Sequence, residues 1–217
     1  MNALLLLLLA VAVASTQARL RKYMSEVCLL TGMPTRDKAE AHIFRTTSTQ
    51  KCYLYSGAGG TPGHATFSLI SEDTDKNMVW RTESANKLIT SADLDKGTAT
   101  NSQSYAYIHQ LDDTQSSANP TGTAVAGQVL GAKLGGTNDV QNLFPQSTLY
   151  QSEYQAIETE IYDCLKKNYA SKALLEWTFL YQTSTALRPY LVYYHVSFTA
   201  ATGATTTCGN KEHHIKN

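Results

Sequence analysis

The chain has 217 residues, 18 Lys+Arg against 18 Asp+Glu, and 42% hydrophobic residues, enough for one compact domain with a core. Its formal net charge of +0 excludes capture of polyanions by global charge alone, because phosphate binding draws its affinity from accumulated Lys and Arg contacts. A local basic face stays open.

The first segment is an apolar run from Ala3 to Ala14, followed by small residues through Ala18 and by Arg19, Arg21 and Lys22. It reads as a secretory signal peptide over 1–18, too short for a stable bilayer anchor and with small residues where cleavage would fall. No later segment approaches membrane length, so a secreted, extracellular protein without membrane contact is expected once the peptide is removed. A polar N-terminal segment, 19–50, follows, in which Arg36 to Phe44 has the pattern of a short helix. Lys51 to Tyr55 and Ala65 to Ile70 alternate apolar and polar residues, the period of strands with one buried face. Between them Ser56 to Gly63 lacks the Gly-Lys-Ser/Thr ending of a phosphate loop and is expected to be a turn. Met78 to Glu83 is another short strand. Asp93 to Thr123, rich in Ser, Thr, Asn, Gly and Asp, reads as a long surface loop around one strand or turn at Tyr105 to Leu111.

Ser152-Glu153-Tyr154-Gln155 has the form of a capping box, and Tyr154, Ile157, Ile161 and Leu165 share one helical face. The spacing predicts a helix from about Glu153 to Lys167. Ala173 to Gln182 and Tyr190 to Thr199, rich in aromatic and β-branched residues, should pair as an antiparallel hairpin. The tail, 200–217, is low in complexity and is expected to be tied down at Cys208.

Cys28, Cys52, Cys164 and Cys208 form an even set in a chain bound for an oxidising compartment, so two disulfides are expected. Three pairings are possible; Cys28 with Cys52 and Cys164 with Cys208 is favoured because each closes a moderate loop. No Cys/His spacing suggests zinc.

Read together, AGQVLGAKLGGTNDVQNLFPQSTLYQSEYQAIETE and RPYLVYYHVSFT carry an ordered set of motif residues: Gly127, Gly135, Gly136, Asp139, Asn142, Leu143, Pro145, Gln146, Gln151, Ser152, Glu153, Tyr154, Glu158, Arg188 and Pro189. In this the chain resembles the DNA/RNA non-specific endonucleases of the ββα-metal type, above all the branch found as toxin domains of bacterial type VII secretion. The resemblance covers Ala126 to Thr199. It implies an α+β fold over 51–199, a twisted antiparallel sheet with a ββα-metal-like element and one main helix, in a chain whose four cysteines are expected to form the two disulfides. It also implies a mechanism in which a strand His takes a proton from water and an Asn at the helix start holds Mg²⁺. A Glu inside that helix hydrogen-bonds water on the metal.

This chain departs from the pattern at the reacting groups. Gln128 stands at the position of the His, and a carboxamide has no useful basicity. Tyr150 stands at the position of the metal-binding Asn, and a neutral phenol is a poor Mg²⁺ ligand. Gln128, Asn142, Gln146, Tyr150 and Glu158 therefore outline a vestigial cleft. The commoner job of Asn142 and Gln146 in such turns is to satisfy loop backbone groups, and Glu158 reads as bonding a Tyr or a backbone amide. The expectation is a secreted nuclease-like domain with impaired catalysis that acts by binding or as an extracellular structural component, with no cofactor. Two alternatives stand beside it. One is an active Mg²⁺-dependent nuclease using a displaced His, for which His64 and His109 are the candidates. The other is a non-cleaving module whose partner is nucleic acid. His195 reads as structural, and His213-His214 is weak ground for a metal.

Overall fold

The computed structural model describes residues 49–54, 63–72, 78–113, 123–184, 186–204 and 208–217. The expected signal peptide, the expected helix over Arg36 to Phe44, the turn from Ser56 to Pro62, and Cys28 lie outside them.

The described strands are β1 (Thr49–Leu54), β2 (Gly63–Glu72), β3 (Met78–Thr90), β4 (Ala124–Gln128), β5 (Leu143–Ser147), β6 (Ala170–Leu180), β7 (Leu191–Ala200) and β8 (Lys211–Lys216). The helices are α1 (Ser102–Asp113) and α2 (Gln151–Lys166). Six strands form one antiparallel sheet in the order β1-β2-β3-β6-β7-β8, and β4 and β5 pair separately as an antiparallel ribbon. β4, β5 and α2 thus follow one another as strand, strand, helix. Two short 3-10 turns, Ala132–Leu134 and Val140–Asn142, lie in the connection between β4 and β5.

The expected β6–β7 hairpin forms because alternation along both strands puts one face out of water. Ala173, Leu175, Trp177 and Phe179 of β6 are buried while Leu174, Glu176 and Thr178 between them are exposed. Val192, Tyr194 and Val196 of β7 join the same core, and Tyr154, Ile157, Ile161 and Leu165 of α2 pack against it. Trp177 and Tyr194 meet at 4.9 Å between ring centroids, and Phe144 sets its edge on Phe179 at 5.1 Å. Each such side chain taken from water contributes roughly 1.5–3 kcal/mol, so this cluster anchors α2 to the sheet.

β3 runs seven residues past the expected Glu83 end, to Thr90. Ala85, Lys87 and Ile89 point inward there, and Lys87 is wholly buried with no partner for its ammonium group. Burial lowers its pKa, against a smaller opposing pull from Asp93.

The stretch Tyr105 to Leu111, expected as a strand or turn, is instead the middle of α1. Its start is a reciprocal cap: the Asn101 carboxamide oxygen accepts from the N–H groups of Gln103 and Ser104, and the Ser104 hydroxyl accepts from the Asn101 N–H. Ile108 of α1 then packs with Ala124, Ala126, Leu143 and Leu187 in a second, smaller core. The described residues accordingly hold two helices rather than one main helix. At α2 the expected capping box does not form. The helix begins at Gln151 with Tyr150 at the cap position making no side-chain cap bond, so Ser152 lies inside the first turn. The turn feeding it is held by the Ser147 hydroxyl, which accepts from the Leu149 N–H at 3.3 Å.

One disulfide is described, Cys164 to Cys208, at a sequence separation of 44; the Cys52 side chain lies outside the described residues. The tail is held by more than that bond, because it forms β8 on the edge of the sheet. Its last residue is the firmest part. The Asn217 carboxamide accepts from the Ser147 N–H at 2.6 Å and donates to the Pro145 and Pro189 carbonyls at 2.8 and 3.0 Å. A side chain on the large sheet thereby fastens β5 in place. Asn217→Ala leaves those groups buried without partners, and the expected loss is ~1–3 kcal/mol in urea unfolding. An unchanged midpoint would show that β5 is held by other contacts.

Candidate functional site

The connection between β4 and β5 must place several polar backbone groups out of water, and two carboxamides satisfy them. Asn142, at 0% exposure, donates to the carbonyls of Leu130 and Thr137 at 2.9 and 2.7 Å and accepts from the Leu130 N–H at 2.8 Å. Gln128 donates to the carbonyls of Thr98 and Thr137, both at 2.9 Å, and accepts from the Ala132 N–H at 3.2 Å. Both amide protons of Gln128 are in use, so this side chain is a strut between three backbone segments. Asn142 is likewise a support, as the structural reading of the sequence proposed.

On the other side of a cleft of ≈140 Å³ stand Gln151, Gln155 and Glu158, at i, i+4 and i+7 along α2. Gln128, Gln146 and Gly131 belong to the same cleft. Gln146 is largely buried. The ribbon closes tightly around it. A Cβ on Gly127 would fall 2.6 Å from the Gln146 Cβ, so only glycine lets β4 pass here.

Glu158 is seated by a second close approach. A Cβ on Gly131 would collide with both of its carboxyl oxygens, so glycine is what admits the group to the backbone. Burial pushes its pKa up to about 8, against the lowering effects of the Gly131 N–H, which hydrogen-bonds it, and of Lys133. Its Oε1 is buried without a partner. Below it the Tyr154 hydroxyl donates to the Val129 carbonyl at 3.0 Å, and the buried Tyr194 hydroxyl has no partner. Burial raises the pKa of both phenols, and the Glu158 charge raises them further.

Of the five residues expected at the vestigial cleft, Gln128, Gln146 and Glu158 meet in it. Asn142 lies behind its wall. Tyr150 caps α2 and packs against the edge of the core. Gln155 and Gly131 were not singled out from the sequence; the i, i+4, i+7 spacing of Gln151, Gln155 and Glu158 is the signal that finds the helical wall. No histidine is among the residues lining the cleft. His109 is exposed on α1, and the side chain of His64 lies outside the described residues. His195 pairs with Glu176 at 3.1 Å and His214 with Glu212 at 3.0 Å, both on the sheet.

The donor set does not fit Mg²⁺. That ion takes hard oxygen ligands, with carboxylates among them, in near-octahedral order. The cleft offers one carboxyl, which retains its proton near neutrality, and the Asn142 oxygen already accepts an N–H. Among the described residues no group of three or more His, Cys, Asp or Glu could hold a metal.

No family and no curated protein matches the chain. Its fold is weakly similar to that of NucA from Streptococcus agalactiae. The form with no metal bound is 13% identical at a TM-score of 0.39, over 76% of this chain and 74% of that one. The form with magnesium bound has the same identity and TM-score, over 84% and 91%.

The raised Glu158 pKa has a stability consequence with a definite sign. Between the ordinary value of 4.5 and about 8 the native state holds a proton that the unfolded chain has released, so stability is full below that window and falls as pH rises through it. Glu158→Gln is expected to remove this fall, which for one proton is at most ~1.4 kcal/mol per pH unit. Chemical unfolding of both proteins from acid to alkaline pH checks it; parallel curves would place the carboxyl in water.

Proposed function

We propose that this chain is a secreted, nuclease-like domain of the ββα-metal kind whose cleft binds without efficient cleavage, working outside the cell as a binding or structural component. The motif run from Gly127 to Glu158 supports the nuclease-like frame, and the succession of β4, β5 and α2 agrees with it. The observation that carries the loss of catalysis is the Gln128 side chain. At the position of the proton-accepting His it offers a group without basicity, and that group is occupied by three backbone hydrogen bonds. Loss of a general base alone costs ~10²–10⁴ in rate, and absence of a fitting metal-ligand set deepens the deficit.

Incubation of the purified protein with plasmid DNA and with RNA, in Mg²⁺ or Mn²⁺ and in chelator, tests this. No chelator-sensitive cleavage is expected. Cleavage that chelator stops, and that His64→Ala or His109→Ala abolishes, would instead establish a working nuclease with a relocated base.

A further inference from the structure

We infer that the cleft between the β4–β5 ribbon and the start of α2 is a binding site for a small, neutral, hydroxyl-rich ring such as a sugar, and not for a phosphodiester. This rests on the non-cleaving reading of the cleft and adds the chemistry of its ligand.

The walls carry hydrogen-bonding groups without positive charge. Gln146 from the ribbon and Gln151 and Gln155 from α2 present carboxamides, Thr100 a hydroxyl and Glu158 a carboxyl, and no Lys or Arg is among the described lining residues. The cation acting on Glu158, Lys133, is exposed and outside that lining. A phosphodiester is held by charge-assisted bonds from Arg, Lys or a metal, and a cleft with an acid and no cation repels it once that acid ionises. A hydroxyl group both donates and accepts, as each carboxamide does with its two N–H groups and its carbonyl oxygen. The match is therefore to a polyol.

Two further observations place such a ligand here. The Glu158 Oε1 is buried with no hydrogen bond among the described residues, and the largely buried Gln146 presents its carboxamide in the same lining, so the cleft contains a polar atom that the described residues do not satisfy. Gln128 and Asn142 beside them are fully engaged, which separates the supporting amides from the available ones. Size sets the rest. At ≈140 Å³ the cleft lies below the ~300–1,000 Å³ of drug-sized pockets, and its small residues Ala126, Gly127 and Gly131 let one ring approach the backbone. One ring held by a few neutral hydrogen bonds binds with a Kd on the order of 1 mM.

Nuclear magnetic resonance titration of the isotope-labelled protein tests the inference. The probes are glucose, galactose, mannose and N-acetylglucosamine, with inorganic phosphate and a single-stranded oligonucleotide in parallel. At least one sugar is expected to shift the side-chain amide signals of Gln146, Gln151 and Gln155 saturably, with an affinity unchanged by added salt up to about 0.5 M. Gln151→Ala and Gln155→Ala, at positions the core does not use, should weaken it roughly tenfold or more without moving the thermal midpoint. A glycan array separates a terminal sugar on a larger chain from a free monosaccharide. No shift with any sugar at about ten times the expected Kd, or shifts with phosphate or oligonucleotide alone, overturns the inference. Absence of both sugar binding and cleavage defeats the sugar assignment and leaves the non-cleaving reading standing. Cleavage together with sugar binding does the reverse.

Discussion

The arrangement around the cleft depends on one buried side chain. Asn142 lies entirely out of water, and its carboxamide takes up the Leu130 N–H, the Leu130 carbonyl and the Thr137 carbonyl, while its own backbone carbonyl accepts from the Val129 N–H. A connection that turns twice through 3-10 geometry exposes many orphan polar groups, and in a dry interior each would cost ~1–3 kcal/mol. Asn142 answers them from the end of its own 3-10 turn. Because Leu130 is thereby fixed, Gly131 is fixed next to it, and the Glu158 carboxyl can lie against the Gly131 amide. The cleft wall is thus set by hydrogen bonds together with the core packing of Val129, Leu130 and Leu134.

On the proposed non-cleaving reading, this division of labour explains how a motif can persist while its reaction does not. The residues that hold the ribbon and helix in register, among them Gly127, Asn142 and Gly136, answer to geometry. Gln128 joins them as a strut, although the nuclease-like reading puts the proton acceptor at its position. A carboxamide in place of an imidazole keeps a planar group with a donor and an acceptor at that point of the backbone, and gains a second donor for the Thr98 carbonyl.

Much of the scaffold could be read before the coordinates. The β6–β7 hairpin and the buried face of α2 announce themselves because one-sided burial imposes a period of two or of 3.6 on the residues. α1 escaped because Ile108 is the one apolar side chain buried among its described residues, and because its cap, Asn101 with Ser104, sits in a stretch whose Ser, Thr and Asn content reads as loop. The second half of β3 escaped because Lys87 occupies an inward position, where a charge breaks the expected alternation. The cleft was legible only in part. Resemblance marks Gln128 as the wrong group for proton transfer, but its partners at Thr98, Ala132 and Thr137 are distributed along the chain, and no local pattern joins them. The helical wall was within reach of periodicity, since Gln151, Gln155 and Glu158 repeat at helical spacing.

Lys87 carries a consequence of a different kind. Burial of this amine in the sheet, with no hydrogen-bond partner among the described residues, favours its uncharged form against the pull of Asp93. An uncharged amine is a nucleophile, yet amine-acylating reagents cannot reach it while β3 stays covered. Its labelling therefore has to wait for the sheet to part, and the rate at which Lys87 is modified becomes a clock for those openings, kept by the protein's own interior.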